Sequence, residues 1–112
     1  MLNAARLRRT SDIAAVREHG HTAREAAFSC RWSPNDLGVV RLAVSAPRTV
    51  GNAVVRNRAR RRVREAFRSA LEPMTGVRGL DLVVMARRDA LSADFPSLRR
   101  WADAVLRAAA RP

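Results

Sequence analysis

Residues 51–68 read GNAVVRNRARRRVREAFR, and this stretch has clear helical periodicity. At about 100° per residue, its small and apolar side chains collect on roughly a third of the helix circumference. These positions are Val55, Ala59, Val63, Ala66 and Phe67, continued by Ala70. The pattern predicts an amphipathic helix whose apolar stripe packs on the core of the fold.

The rest of this helix is basic. It carries seven arginines, and Glu65 is the single acid among its eighteen residues. Arg56, Arg60 and Arg64 recur at intervals of four, where like charges cost about 0.2–0.5 kcal/mol per pair. A passive solvated face is the simpler interpretation, but such faces usually mix charges of both signs. We therefore favour a face that binds a polyanion.

The residues around the helix start strengthen this interpretation. Gly51 and Asn52 predict a tight turn or cap, which leaves free backbone amides at the positive end of the helix dipole. Asn57 can both donate and accept hydrogen bonds, whereas arginine can only donate them. Together these groups predict an anion site beside the first arginines.

Composition narrows the class of partner. The 112 residues fit one domain, 1–112. All 22 basic residues are arginine, against 10 acidic ones, and the net charge of +12 favours nucleic acid, an acidic protein or an anionic membrane. The lone Cys30 cannot form an internal disulfide. With no membrane span or secretory signal evident, we expect a cytoplasmic protein.

The other segments predict an α+β fold. Residues 10–20 have the cap, spacing and terminal glycine of a short helix. Residues 26–32 and 39–44 read as strands forming a hairpin, and 82–86 as a strand in the centre of the sheet. A last helix opens at Asp94. The order is α-β-β-α-β-α, which favours a single domain built as a two-layer sandwich of helices on a small mixed sheet.

Nothing in the sequence indicates a nuclease centre in the protein itself. Metal-dependent nucleases cluster carboxylates around their ions, but the aspartates here are scattered and form no motif, so we expect no metal site and no bound cofactor. His19 and His21 could serve acid-base chemistry, yet their place near a helix end favours a structural role. We expect no catalytic residue in this chain.

The basic stretch closely resembles the signature of the bacterial ribonuclease P protein subunit. The matching runs are Val50–Val55, Arg56-Asn57-Arg58, Arg60-Arg61 and Arg64–Arg68. The resemblance implies the element order given above, with a left-handed crossover through the basic helix. It also implies a subunit of a ribonucleoprotein endoribonuclease, which binds a catalytic RNA and the 5′ leader of precursor tRNA. In that family the RNA and its Mg²⁺ ions remove the leader.

The family also implies which residues bind RNA. The set facing the catalytic RNA comprises Asn52, Arg56, Asn57, Arg58, Arg60, Arg61, Arg64 and Arg68. The leader cleft lies between the first helix and the sheet, where Ile13 and Arg17 occupy positions that are usually aromatic. Phe28 and Trp32 are candidates for the same cleft, although their shared strand face also fits the core. Arg62 stands where the family is usually apolar, and we expect it to extend to the surface.

Two other classes of protein remain open on charge alone. One is a ribosomal or other structural RNA-binding protein. The other is a cationic protein that compacts DNA or acts on membranes. The resemblance favours neither: it implies the ribonuclease P RNA and precursor tRNA as partners, without DNA or membrane.

Overall fold

The computed structural model describes residues 4–111, which contain five strands and four helices. The strands are β1 (Ala5–Arg6), β2 (His21–Arg24), β3 (Phe28–Pro34), β4 (Val40–Ser45) and β5 (Leu80–Ala86). The helices are α1 (Thr10–His19), α2 (Ala53–Leu71), α3 (Asp89–Ser92) and α4 (Phe95–Ala110), and a 3-10 turn spans Arg48–Val50. The predicted α+β class is confirmed. Strands β1 and β2 and helix α3 are additions that the sequence did not predict.

The sheet is mixed, with strand order β1-β4-β5-β3-β2. Strands β1, β4 and β5 run parallel, while β3 is antiparallel to both β5 and β2. The predicted hairpin of β3 and β4 is therefore wrong, because β5 lies between them. Strand β5 is buried at every residue from Leu80 to Val84, so its apolar run takes the centre and separates the two strands that the turn at 33–38 joins in sequence.

Helices α2 and α4 cover one face of the sheet and enclose the main core. The predicted stripe of α2 is confirmed, because Ala59, Val63, Ala66, Phe67 and Ala70 are all buried. Helix α2 also connects the parallel neighbours β4 and β5. The left hand of that crossover stays a prediction.

Helix α1 packs on the opposite face of the sheet. Its Val16 is buried with Leu7 and Val83, and Ile13 and Ala43 lie against them. Arg41 of β4 donates to Asp12 of α1 at 3.3 Å, which fixes the first turn of the helix to the sheet. This face is therefore only partly covered. Within residues 4–111 no helix is long and apolar enough to cross a membrane.

Candidate nucleic-acid interface

The start of α2 is built by local interactions that the sequence predicted. The Asn52 side chain accepts a hydrogen bond from the Val55 amide at 3.0 Å and so caps the helix. Gly51 adopts φ of 154°, and a Cβ there would lie 2.7 Å from a Val55 methyl group. Only glycine fits this close turn without strain. The Asn52 oxygen is thus occupied by the cap, while its amide NH₂ group remains available to a ligand.

Three of the six arginines predicted on α2 are exposed, and the other three are half-buried. Asn57, Arg58 and Arg61 are exposed, and Arg60 donates a hydrogen bond to the Asn57 side-chain oxygen. Beside them lies a hollow of about 430 Å³, which we call the basic groove. Its lining comprises Arg6, Val44, Asn57, Arg60, Arg61 and Arg64. Four guanidinium groups around one open hollow form a strong anion site.

Arg64 is central to this surface. Its burial, followed by repulsion from Arg6, lowers the pKa of its guanidinium below the usual value. It lies in the basic groove and also in a second hollow beneath α1. A bound phosphate would relieve the repulsion between the two arginines.

Arg56 lies against the body of the protein at the start of α2. Its Nε is buried and has no hydrogen-bond partner among the described residues. A buried charged donor without an acceptor is costly.

Arg68 differs from the other predicted contacts. It donates to Glu65 at 2.9 Å and to Glu72 at 2.9 Å. These hydrogen bonds, Glu65 first, raise the pKa of Arg68, and Arg68 in turn lowers the pKa of the Glu65 carboxyl. Glu72 is a partner of Arg68 that was not predicted from the sequence. With two carboxylates on one guanidinium, this end of α2 carries a net negative charge.

Arg62 has a structural role within the protein. It lies part-buried, its Nε donates to the Ala90 carbonyl at 2.8 Å, and a second nitrogen donates to the Ala93 carbonyl. These bonds join α2 to the end of α3. The guanidinium does reach beyond the apolar core, as expected, but it binds carbonyls of this chain.

The uncovered part of the sheet forms a floor beside α1. Paired positions on four strands lie in one row, Ser45, Met85, Ser29 and Arg24. Met85 is 44% exposed and Ser29 and Ser45 are half-buried. Because partners in register share a face of the sheet, the row is a continuous strip open to solvent.

Arginine-rich hollows lie at both ends of this strip. The α1 groove, of about 290 Å³, brings Ile13 and Arg17 of α1 together with Arg6, Arg8 and Arg64. The strand-end groove, of about 860 Å³, contains Arg24, Arg31, Arg87 and Arg88. We call the strip and both grooves together the sheet cleft. The structure thus places the predicted Ile13 and Arg17 in a cleft between the first helix and the sheet.

The predictions of Phe28 and Trp32 for this cleft are corrected by the structure. Phe28 is completely buried on the α2 side, its ring 5.2 Å from that of Phe67. Trp32 packs on the same core and stacks on His21 with ring centroids 4.4 Å apart. Both point away from the cleft because alternate residues of a strand face opposite sides. Arg31, the neighbour of Trp32, faces the cleft, and the same alternation could have identified it.

The titratable side chains do not suggest hydrolytic chemistry in this surface. Within residues 4–111 no three His, Cys, Asp or Glu side chains lie close enough to hold a metal ion. His19 is exposed beside Glu18, and His21 stacks on Trp32. Neither histidine lines the basic groove or the sheet cleft. The groups that the surface offers are chiefly guanidinium groups, which are suited to binding and positioning anions.

Comparison with known proteins gives consistent results. The family model described as Ribonuclease P matches residues 1–110. A ribonuclease P protein component from Chloroflexus aurantiacus is 38% identical over 110 residues, which cover 97% of this chain and 80% of that one. One from Staphylococcus epidermidis is 31% identical, covering 97% and 93%.

Solved structures show the same fold. The RNase P protein of Staphylococcus aureus superposes with a TM-score of 0.75 at 26% identity, covering 96% of both chains. That of Thermotoga maritima gives a TM-score of 0.77 at 27% identity, covering 92% of this chain and 96% of its own. The mixed sheet and its helices are therefore shared with these proteins.

Proposed function

Because this chain belongs to the ribonuclease P protein family, we propose that it binds the catalytic RNA of the enzyme and the 5′ leader of precursor tRNA. Family membership makes it a component of an endoribonuclease that processes tRNA. The proposal assigns the RNA to the basic face of α2 and the leader to the sheet cleft.

The position of Arg64 supports this division most directly. Arg64 and Arg6 both line the basic groove and the α1 groove, so the two binding surfaces meet at this pair of guanidinium groups. Phosphates of two RNA strands can then lie side by side, each neutralised by arginines on its own flank. A protein so built brings the leader next to the catalytic RNA, which is the arrangement that leader removal requires.

The leader assignment fits the shape and charge of the sheet cleft. A strip of small side chains such as Ser29 and Ser45 leaves room for an extended strand. The arginines at both ends of the strip attract its phosphates.

We propose that the hydrolysis itself is performed by the catalytic RNA with Mg²⁺. The described residues do not fit a protein-held ion, since their carboxylates do not cluster. Arg41 already forms ion pairs with Asp81 and Asp12, at 2.8 and 3.3 Å. In this proposal the chain contributes binding and orientation.

Reconstitution tests the proposal. Added to a cognate ribonuclease P RNA at low Mg²⁺, the protein should restore specific removal of the leader. The double variant Arg61→Gln/Arg64→Gln should lose most of this gain. The control Arg99→Gln/Arg100→Gln removes the same charge from exposed positions of α4. This variant should retain the full gain in leader removal. If the unmodified protein gives no gain, the proposal is wrong.

A structural RNA-binding protein is the alternative that charge alone allows. It predicts binding without any gain in cleavage. Binding that is insensitive to RNA structure would instead indicate a general cationic protein. Our proposal requires tight binding to the folded catalytic RNA that persists over an excess of unrelated RNA.

A further inference from the structure

The phenylalanine and tryptophan side chains of this chain all lie on one side of the sheet. The sequence has three phenylalanines and two tryptophans and no tyrosine. All five belong to or pack against the core under α2 and α4: Phe28, Trp32, Phe67, Phe95 and Trp101. None of them lines the sheet cleft. The described part of the cleft therefore offers no ring on which a base can stack.

The cleft also lacks asparagine and glutamine, the two side chains that present a donor and an acceptor together to a base edge. No asparagine is among the residues that line its two grooves, and the sequence contains no glutamine. Its hydroxyl groups are short, as in Thr22, Ser29 and Ser45. Its apolar contacts, chiefly Ile13 and Met85, are aliphatic and do not distinguish one base from another.

The lining of the cleft is strongly positively charged. Its lining contains eight arginines, against the single carboxylate of Asp89. They are Arg6, Arg8, Arg17 and Arg64 at one end and Arg24, Arg31, Arg87 and Arg88 at the other. Among the described residues none of these eight forms a salt bridge. Guanidinium groups without carboxylate partners bind phosphate oxygens in pairs.

We infer that the sheet cleft holds the leader by its phosphates and is indifferent to its bases. This inference rests on the proposed function and adds which chemical groups of the leader the cleft recognises. Where a cleft stacks bases on rings, each base contributes roughly a 5- to 150-fold gain in affinity. In this chain that gain is replaced by charge attraction, so precursor tRNAs with unrelated leaders should bind alike.

The test uses the reconstituted holoenzyme and one precursor tRNA with a five-nucleotide leader in four forms. In the first form the leader has its native bases, and in the second every base is replaced by an abasic site. In the third the phosphates are replaced by neutral methylphosphonate linkages, and the fourth form is mature tRNA without a leader. We expect the abasic leader to keep the native affinity within about twofold. The methylphosphonate leader should bind no better than mature tRNA. A loss of fivefold or more with the abasic leader would overturn the inference.

The fourth form separates the inference from the proposed function. If the native leader adds no affinity over mature tRNA, the cleft does not bind the leader and the proposed function itself fails. If it adds affinity that the abasic leader loses, only the inference fails, and the arginines stack on bases.

A designed ring provides a positive control. Ile13→Phe places an aromatic side chain in the α1 groove and should make binding base-dependent, with a preference of fivefold or more for native over abasic leader. Ala15→Phe adds the same ring at an exposed position of α1 outside the cleft. This variant should behave like the unmodified protein. Base dependence in Ala15→Phe equal to that in Ile13→Phe would contradict the assignment of the cleft.

Discussion

Arg61 and Arg68 provide a matched comparison of free and paired charge. They lie seven residues apart on α2, almost on the same side of the helix, and both are exposed. Arg68 is held by Glu65 and Glu72, whereas Arg61 forms no ion pair within the described residues. Replacing either with glutamine lowers the net charge from +12 by one. Any general effect of charge on RNA binding is therefore common to both variants.

The expected difference follows from the release of counterions. One lost phosphate contact reduces the salt dependence of log K by about 0.7–0.9. If the variant and the unmodified protein bind equally at 1 M salt, the variant should bind roughly sixfold more weakly at 0.1 M and about fourfold more weakly at 0.2 M. We expect Arg61→Gln to show this loss, because its guanidinium is free to bind phosphate. Arg68→Gln should leave the slope unchanged, because two carboxylates already neutralise the guanidinium it removes.

The assay is the dissociation constant of the protein with its cognate ribonuclease P RNA, measured from 0.1 to 0.5 M salt at fixed Mg²⁺. Equal losses of slope in both variants would show that the Arg68 ion pairs break in the complex and that RNA covers the whole helix. No loss in either would remove Arg61 from the interface. Glu65→Gln/Glu72→Gln gives a further check, since freeing Arg68 should tighten binding and steepen the slope.

Three further predictions concern stability. Burial raises the pKa of the Cys30 thiol from 9.0 to about 12. The thiol therefore ionises at lower pH in the unfolded chain than in the folded one. The free energy of unfolding should then fall above pH 9 by about 1.4 kcal/mol per pH unit. Cys30→Ala should abolish this slope in urea titrations, because the sequence has no lysine or tyrosine; an unchanged slope would contradict the assignment. Arg62→Met should lower the free energy of unfolding by about 2–3 kcal/mol and leave the salt slope for RNA unchanged; a reduced slope would place Arg62 on RNA. Asn52→Ala should cost about 1 kcal/mol through loss of the cap, and Asn52→Asp should restore it.

The features that local sequence determines were predicted correctly. The stripe of α2 follows from helical periodicity, and the Asn52 cap and the turn at Gly51 depend on residues within four positions of each other. The strand order could not be obtained in this way. The turn at 33–38 is compatible with a hairpin or with a jump across one strand, and the choice depends on β5, which begins more than forty residues later.

The roles of individual arginines on α2 were harder to predict than the helix itself. Arg68 is spaced correctly for both Glu65 and Glu72, yet spacing alone does not show that both carboxylates bind it at once. Arg62 binds carbonyls at the end of α3, a helix of four residues that carries no clear signal in the sequence. Both assignments depend on where a side chain finds its partner in space.

The existence of the sheet cleft depends on the length and anchoring of α1. Ten residues at 1.5 Å each give a helix of about 15 Å, and two contacts fix its position. Asp12 is held by Arg41 near one end of the strands, and Val16 packs on Val83 further along β5. The next residue of β5 on this face is Met85, beyond the reach of the anchored helix. The alternation of the strands therefore determines which side chains face the cleft, but only the docking of α1 determines that they stay open to RNA.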